Sequence, residues 1–311
     1  PQGRRTNAEP DDSSRHTMTR EQRWSAVADF WPLSSASRFI RVHDVDFHVQ
    51  ITGTGPDVLL LHGAGASSHS FAGMMHRLAE QYRVICPDLP GQGFTTLMPP
   101  EGVGLKPFSA YLRSLLEALN ASPDWIIGHS AGSALAAQLA LDLTPSPRGL
   151  LCINAAFKPF GATAAPFFSG AARWLSRSRW LPKALASPAL RWRATASMLS
   201  DTGSTVTPLS SRCYDALLSD PDHIAGTLRM MAGWDLPPLL ARLPELDATV
   251  WLVGCEGDRT IPPGRSLAVA PQLPHCHTLR VPTLGHLGHE EHPQTFVDIF
   301  HDMVSRHAIA G

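Results

Sequence analysis

The chain has 311 residues, enough for one large α/β domain carrying an insertion or for two small domains. Hydrophobic residues make up 43%, which supports a full core, and no apolar run approaches the roughly 18 residues that span a bilayer. The 26 basic and 27 acidic side chains nearly cancel, which argues against a general nucleic-acid-binding protein.

The first residues, P-Q-G-R-R-T-N-A-E-P-D-D-S-S-R-H-T, lack the apolar core of a secretory signal. Residues 1–37 read as a polar extension, partly disordered, with Met18 as an expected start site. From Phe39 the pattern is that of strands. F-I-R-V and D-F-H-V-Q-I-T predict a hairpin turning near His43–Val45. D-V-L-L-L-H-G then predicts a buried parallel strand, 71–80 a helix, and R-V-I-C-P-D another strand. A helix over 107–119, the strand W-I-I-G-H, the helix A-G-S-A-L-A-A-Q-L-A-L and the strand G-L-L-C-I-N follow.

The alternation breaks over 156–240, where proline-divided helical patches show no good strand. T-V-W-L-V-G, a helix near Ser266, H-T-L-R-V and a final helix from Pro293 restore it. The expected fold is α/β: a mostly parallel sheet covered on both faces, with a core of 38–155 and 241–311. Residues 156–240 would form a helical lid, inserted after the sixth strand over the ligand-binding ends of the strands. The five cysteines are odd in number and have no metal-like spacing. Cys86, Cys152 and Cys255 sit in strand-like runs, so they read as reduced core residues of a cytoplasmic protein.

Gly128-His129-Ser130-Ala131-Gly132 lies between a predicted strand and a predicted helix. That is the context in which G-x-S-x-G holds a nucleophile on a strained turn. A serine hydroxyl needs a base. His286, in L-G-H-L-G-H-E-E-H-P, follows the last strand, while His289 and His292 lie nearer the final helix. The base needs a carboxylate to fix its tautomer. Asp258 follows the seventh strand, with Glu256 and the more distant Asp235 as competitors. Asn154 occupies an alternative acid position, after the sixth strand, and cannot carry the charge. H-G-A-G places the Ala64 N–H where it and the Ala131 N–H can face a developing oxyanion, with His62 as a buttress of the loop. The three histidines near residue 290 also suggest a metal site, but Gly288 interrupts them and their order differs from zinc-protease signatures. No metal or cofactor is expected.

The H-G-A-G, D-L-P-G-Q-G-F-T, G-H-S-A-G and G-H-L-G-H-E-E-H-P segments resemble the α/β-hydrolase superfamily from about residue 37 onward. Thr95, where serine often closes the second segment, is a conservative departure. W-P-L-S-S-A-S-R-F, I-N-A-A-F-K-P-F and M-M-A-G-W-D-L further resemble the BchO-type hydrolases associated with magnesium chelatase in bacteriochlorophyll biosynthesis. The resemblance implies a role near magnesium insertion into protoporphyrin, with magnesium chelatase subunits as partners. It does not deliver a substrate.

Residues 143–200 contain no Asp or Glu but eight basic residues: Arg148, Lys158, Arg173, Arg177, Arg179, Lys183, Arg191 and Arg193. Trp174, Trp180 and Trp192 interleave with them. Such a surface can meet the carboxylates of an aromatic ligand such as a porphyrin, or lie peripherally on an anionic membrane, or simply face water. Trp174, Arg177, Trp180 and Trp234 are the candidate substrate contacts. Two functions compete: a serine hydrolase acting on an ester or similar acyl bond, and a tetrapyrrole-binding or chelatase accessory protein that does not depend on turnover.

Overall fold

The computed structural model describes residues 19–158, 178 and 180–310. Eight strands form one sheet in the order β1-β2-β4-β3-β5-β6-β7-β8. β1 (Ser37–Val42) and β2 (Val45–Thr52) form the expected antiparallel hairpin, and β2 also runs antiparallel to β4 (Arg83–Pro87). The neighbouring pairs among β3 (Asp57–Leu61), β4, β5 (Trp125–His129), β6 (Gly149–Ile153), β7 (Thr249–Cys255) and β8 (Cys276–Val281) are parallel.

The central strands read as unbroken apolar runs because both sheet faces are covered. Their side chains still alternate. Leu59, Leu61, Ile126, Leu150 and Leu252 enter a core with helices α3 (Leu105–Ala118) and α4 (Ala131–Asp142). Val58, Leu60, Ile127, Leu151 and Val253 enter the opposite core, with Phe71, Met74, Phe296 and Phe300. The strand pleat thus divides one apolar run between two cores. The edge strands β1 and β8 are more exposed and carry Arg38, Arg41, His277 and Arg280, a charge pattern that discourages further pairing.

Between β6 and β7, the described elements are helices α5 (Leu181–Leu185), α6 (Pro188–Asp201), α7 (Pro208–Leu218), α8 (Pro221–Gly233) and α9 (Pro237–Arg242), with a 3-10 turn at Leu243–Glu245. Each of the five helices has proline in its first two positions, where the missing N–H costs nothing. Among the described residues, the prolines that fragment this stretch of sequence are therefore helix starts.

Residues 19–36, just before β1, are part of the packed unit. Helix α1 (Arg20–Ser25) opens with a capping box in which Thr19 and Gln22 satisfy each other's backbone N–H. Trp24, Phe30 and Trp31 then pack with Phe94, Cys213 and Leu217. Gln50 Nε2 holds the carbonyls of Pro32 (2.7 Å) and Leu33 (3.1 Å). These contacts join residues 24–33 to β2 and to the insertion.

Candidate active site

Ser130 links β5 to α4 with φ 51° and ψ −118°. A positive φ at a residue with a side chain is strained, at a cost of about 1–3 kcal/mol. The surroundings hold it there. Ser130 N–H donates to Ile153 O (2.9 Å), and its carbonyl accepts from Ser133 N and Ala156 N, both at 3.1 Å. The flanking glycines allow close approach: a Cβ on Gly128 would lie 2.6 Å from Gly132 O, and one on Gly132 only 2.1 Å from Leu61 O. Ser130 is 6% exposed, and its hydroxyl makes no hydrogen bond among the described residues.

His286 and Asp258 lie in the loops after β8 and β7 and meet through a 2.7 Å hydrogen bond from His286 Nδ1 to Asp258 Oδ2. The other carboxylate oxygen accepts from the N–H groups of Thr260 (2.8 Å) and Ile261 (2.7 Å). An acceptor facing Nδ1 puts the proton there and leaves Nε2 free to accept one. Of the competing carboxylates, Glu256 pairs with Arg280 at 3.0 Å, and Asp235 is exposed.

Two residues not assigned to the site from the sequence tie the His286 loop to the elbow. His129 Nε2 and Asn154 Nδ2 each donate to the His286 carbonyl at 2.9 Å. Asn154 Oδ1 also accepts from Cys255 N–H at 2.8 Å. The rings of His129 and His286 are 4.7 Å apart. The neighbour of Ser130 is thus one of the two contacts to the His286 carbonyl. Its signal in the sequence is only that it fills the first variable position of G-x-S-x-G.

The H-G-A-G loop lies against the same elbow, since a Cβ on Gly63 would come within 3.1 Å of Ser130 Cβ. His62 acts as a buttress: Nδ1–H donates to Gly63 O (2.8 Å), and Nε2 accepts from Leu89 N–H (2.9 Å). The N–H groups of Ala64 and Ala131 find no acceptor among the described residues.

A family model described as the alpha/beta hydrolase family matches residues 58–299. The chain belongs to the alpha/beta hydrolase family. This hydrolase-family chain is 42% identical over 262 residues to the magnesium-chelatase 30 kDa subunit of Rhodobacter capsulatus, an alignment that covers 84% of this chain and 91% of that protein. A crystal structure of a putative lipase from Acinetobacter baumannii superposes with a TM-score of 0.72 at 17% identity, over 96% of this chain and all of the other. An alpha/beta hydrolase fold protein from Burkholderia ambifaria gives 0.71 at 24%, over 86% and 97%. At these identities the two structures establish the fold alone.

Buried ionisable groups surround the candidate site. Burial pushes His69 and His289 down to about 3 and His223 to about 4, so all three are neutral near pH 7. His289, one of the alternative bases, is fully buried between the rings of Phe71 (4.8 Å) and His129 (4.3 Å). His292 is exposed. Among the described residues, no cluster of three or more His, Cys, Asp or Glu is placed to hold a metal ion, and no helix is long and apolar enough to cross a membrane. Of the candidate substrate contacts, Trp180 is 81% exposed, and Trp234 packs on Phe108 with ring centres 6.0 Å apart. Trp174 and Arg177 lie outside the described residues.

The two glutamates after His289 join the insertion to the His286 loop. Glu291 accepts from Gly285 N–H (2.8 Å) and Thr205 N–H (3.1 Å). Glu290, on the short helix α11 (Gly288–Glu291) that follows α10 (Pro263–Ser266), accepts from Tyr214 OH (2.6 Å) and Ser210 Oγ. Burial raises its carboxyl to about 7, from an ordinary 4.5. Between those values the folded chain holds the extra proton, so Glu290's contribution to stability is full below 4.5 and is lost as pH rises through 7. Glu290→Gln is therefore expected to flatten the pH dependence of stability across this window. It should stabilise the fold on the order of 2 kcal/mol at about pH 8. Urea unfolding of both proteins at about pH 5 and about pH 8 checks this.

Proposed function

We propose that the chain is a serine hydrolase that cleaves an ester or similar acyl bond through Ser130, His286 and Asp258. The observation that carries this reading is the Nδ1–carboxylate hydrogen bond between His286 and Asp258, in a His286 loop that is itself hydrogen-bonded to His129, the residue before the strained Ser130. Ser130 Oγ attacks the carbonyl carbon as its proton passes to His286 Nε2. Asp258 stabilises the imidazolium, and the Ala64 and Ala131 N–H groups receive the oxyanion. Collapse expels the alcohol, protonated by His286. Water, activated by the same ring, then frees the acid and restores Ser130.

The likeness to a magnesium-chelatase subunit supports a place beside that enzyme. The sequence segments that resemble BchO-type hydrolases extend the proposal to bacteriochlorophyll biosynthesis, and the cysteine usage to the cytoplasm. The acid-free, basic and aromatic stretch 143–200 favours a substrate carrying carboxylates on an aromatic body, as tetrapyrroles do. The same likeness favours a second reading, a tetrapyrrole-binding or chelatase accessory protein that works without turnover. A screen of simple and tetrapyrrole esters with the purified protein tests the first reading. Complementation of a deletion strain with Ser130→Ala separates the two: loss of pigment supports the enzyme, and full rescue supports the accessory role. Binding assays with protoporphyrin and with anionic vesicles at low salt separate a ligand-binding lid from a membrane-facing one.

A further inference from the structure

Gln92 lies in the loop after β4, between Gly91 (φ 77°) and Gly93 (φ 53°), and is fully buried. Its Oε1 accepts from Gly65 N–H at 2.6 Å, and its Nε2 donates to Met230 Sδ at 2.9 Å. The donor at Gly65 fixes the amide: oxygen must face the H-G-A-G loop and nitrogen the sulfur. Gly65 has φ 79°, and the residue before it is Ala64, whose N–H is the proposed oxyanion donor.

Helix α8 backs this arrangement. His223 Nδ1 accepts from Gly93 N–H at 3.0 Å. A Cβ on Gly226 would lie 1.8 Å from Gly91 O, so the helix rides directly on the loop. His223, Gly226 and Met230 share one helix face by their spacing. One stripe of the insertion thus presses on the loop that carries Gln92, and Gln92 passes that constraint to Gly65.

We propose that Gln92 is a positioning residue that sets the H-G-A-G backbone for transition-state stabilisation, with α8 as its support. The proposal rests on the serine-hydrolase reading above. Without the Gln92 oxygen, Gly65 N–H loses its acceptor and the peptide planes around Ala64 can turn. Misplacement by about 1 Å in such a site costs about 10²-fold in rate.

The test uses the full-length protein with a p-nitrophenyl ester and a fluorophosphonate probe. Gln92→Met keeps the length and volume but removes both polar atoms. It is expected to lower kcat and the labelling rate by about 10- to 100-fold, with KM changed less than about 3-fold. Gln92→Glu keeps an oxygen at Gly65 N–H and is expected to recover most of the rate. If Gln92→Met does not fold, Gln92→Asn, one methylene too short to reach Gly65, carries the same comparison. A purely structural role lowers the melting temperature and leaves kcat per folded molecule unchanged; that result overturns the proposal, as does a Glu variant as slow as Met. If wild type and Ser130→Ala label equally, the hydrolase reading itself fails, and this inference with it.

Discussion

Asp258→Asn is expected to lower ester turnover by about 10⁴-fold with little change in melting temperature. The hydrogen bonds around the carboxylate give the reason. Asp258 Oδ1 accepts from two backbone N–H groups, at Thr260 and Ile261, so the amide oxygen of asparagine must stay at that position. Its NH₂ then faces His286 Nδ1, where Asp258 Oδ2 now accepts at 2.7 Å. Facing a donor, Nδ1 gives up its proton, and the imidazole carries its hydrogen on Nε2 instead. That tautomer cannot take the proton of Ser130. Turnover of a p-nitrophenyl ester by the two proteins, with a thermal melt of each, measures the effect. A variant within about 10-fold of wild type removes Asp258 from the mechanism.

Gly132→Ala is expected to destabilise the chain by about 4 kcal/mol or more and to abolish reactivity at Ser130. The added methyl would meet Leu61 O at 2.1 Å, His62 O at 2.6 Å and Leu61 C at 2.7 Å, all backbone atoms at the end of β3. No rotamer relieves such a clash, so α4 must move off the sheet and take the elbow with it. Gly264→Ala is the control. A Cβ there meets nothing within 4 Å, and its effect should be neutral or stabilising by up to about 1 kcal/mol. Urea denaturation of the three proteins makes the comparison. Equal midpoints for Gly132→Ala and wild type would contradict the close packing of the elbow.

The scaffold was legible in the sequence because its signals are local. Apolar runs such as D-V-L-L-L and G-L-L-C-I are closed by turn residues, and each became a strand where it was expected. The glycines around Ser130 were legible for the same reason, since a tight strand-to-helix turn demands them within five residues. The sequence favours Asp258 over Glu256 for its place after β7, but what separates the two is spatial: two residues apart on one loop, one meets His286 and the other Arg280. The roles of His129 and Asn154 were hidden because their partner, the His286 carbonyl, lies more than 130 residues away. His289 reads in the sequence only as a histidine nearer the final helix, yet packing buries it between two rings. Trp24, Phe30 and Trp31 were masked by their polar neighbours in the sequence. Their apolar partners lie on Phe94 and on α7, distant in the chain.

The central claim is that Ser130 is an activated nucleophile. Its most direct measurement is fluorophosphonate labelling of the purified protein, followed by mass spectrometry of the modified peptide. The expected result is a single adduct on Ser130 in wild type and no labelling of Ser130→Ala. A wild-type protein that does not react, or equal labelling of both proteins, would contradict it.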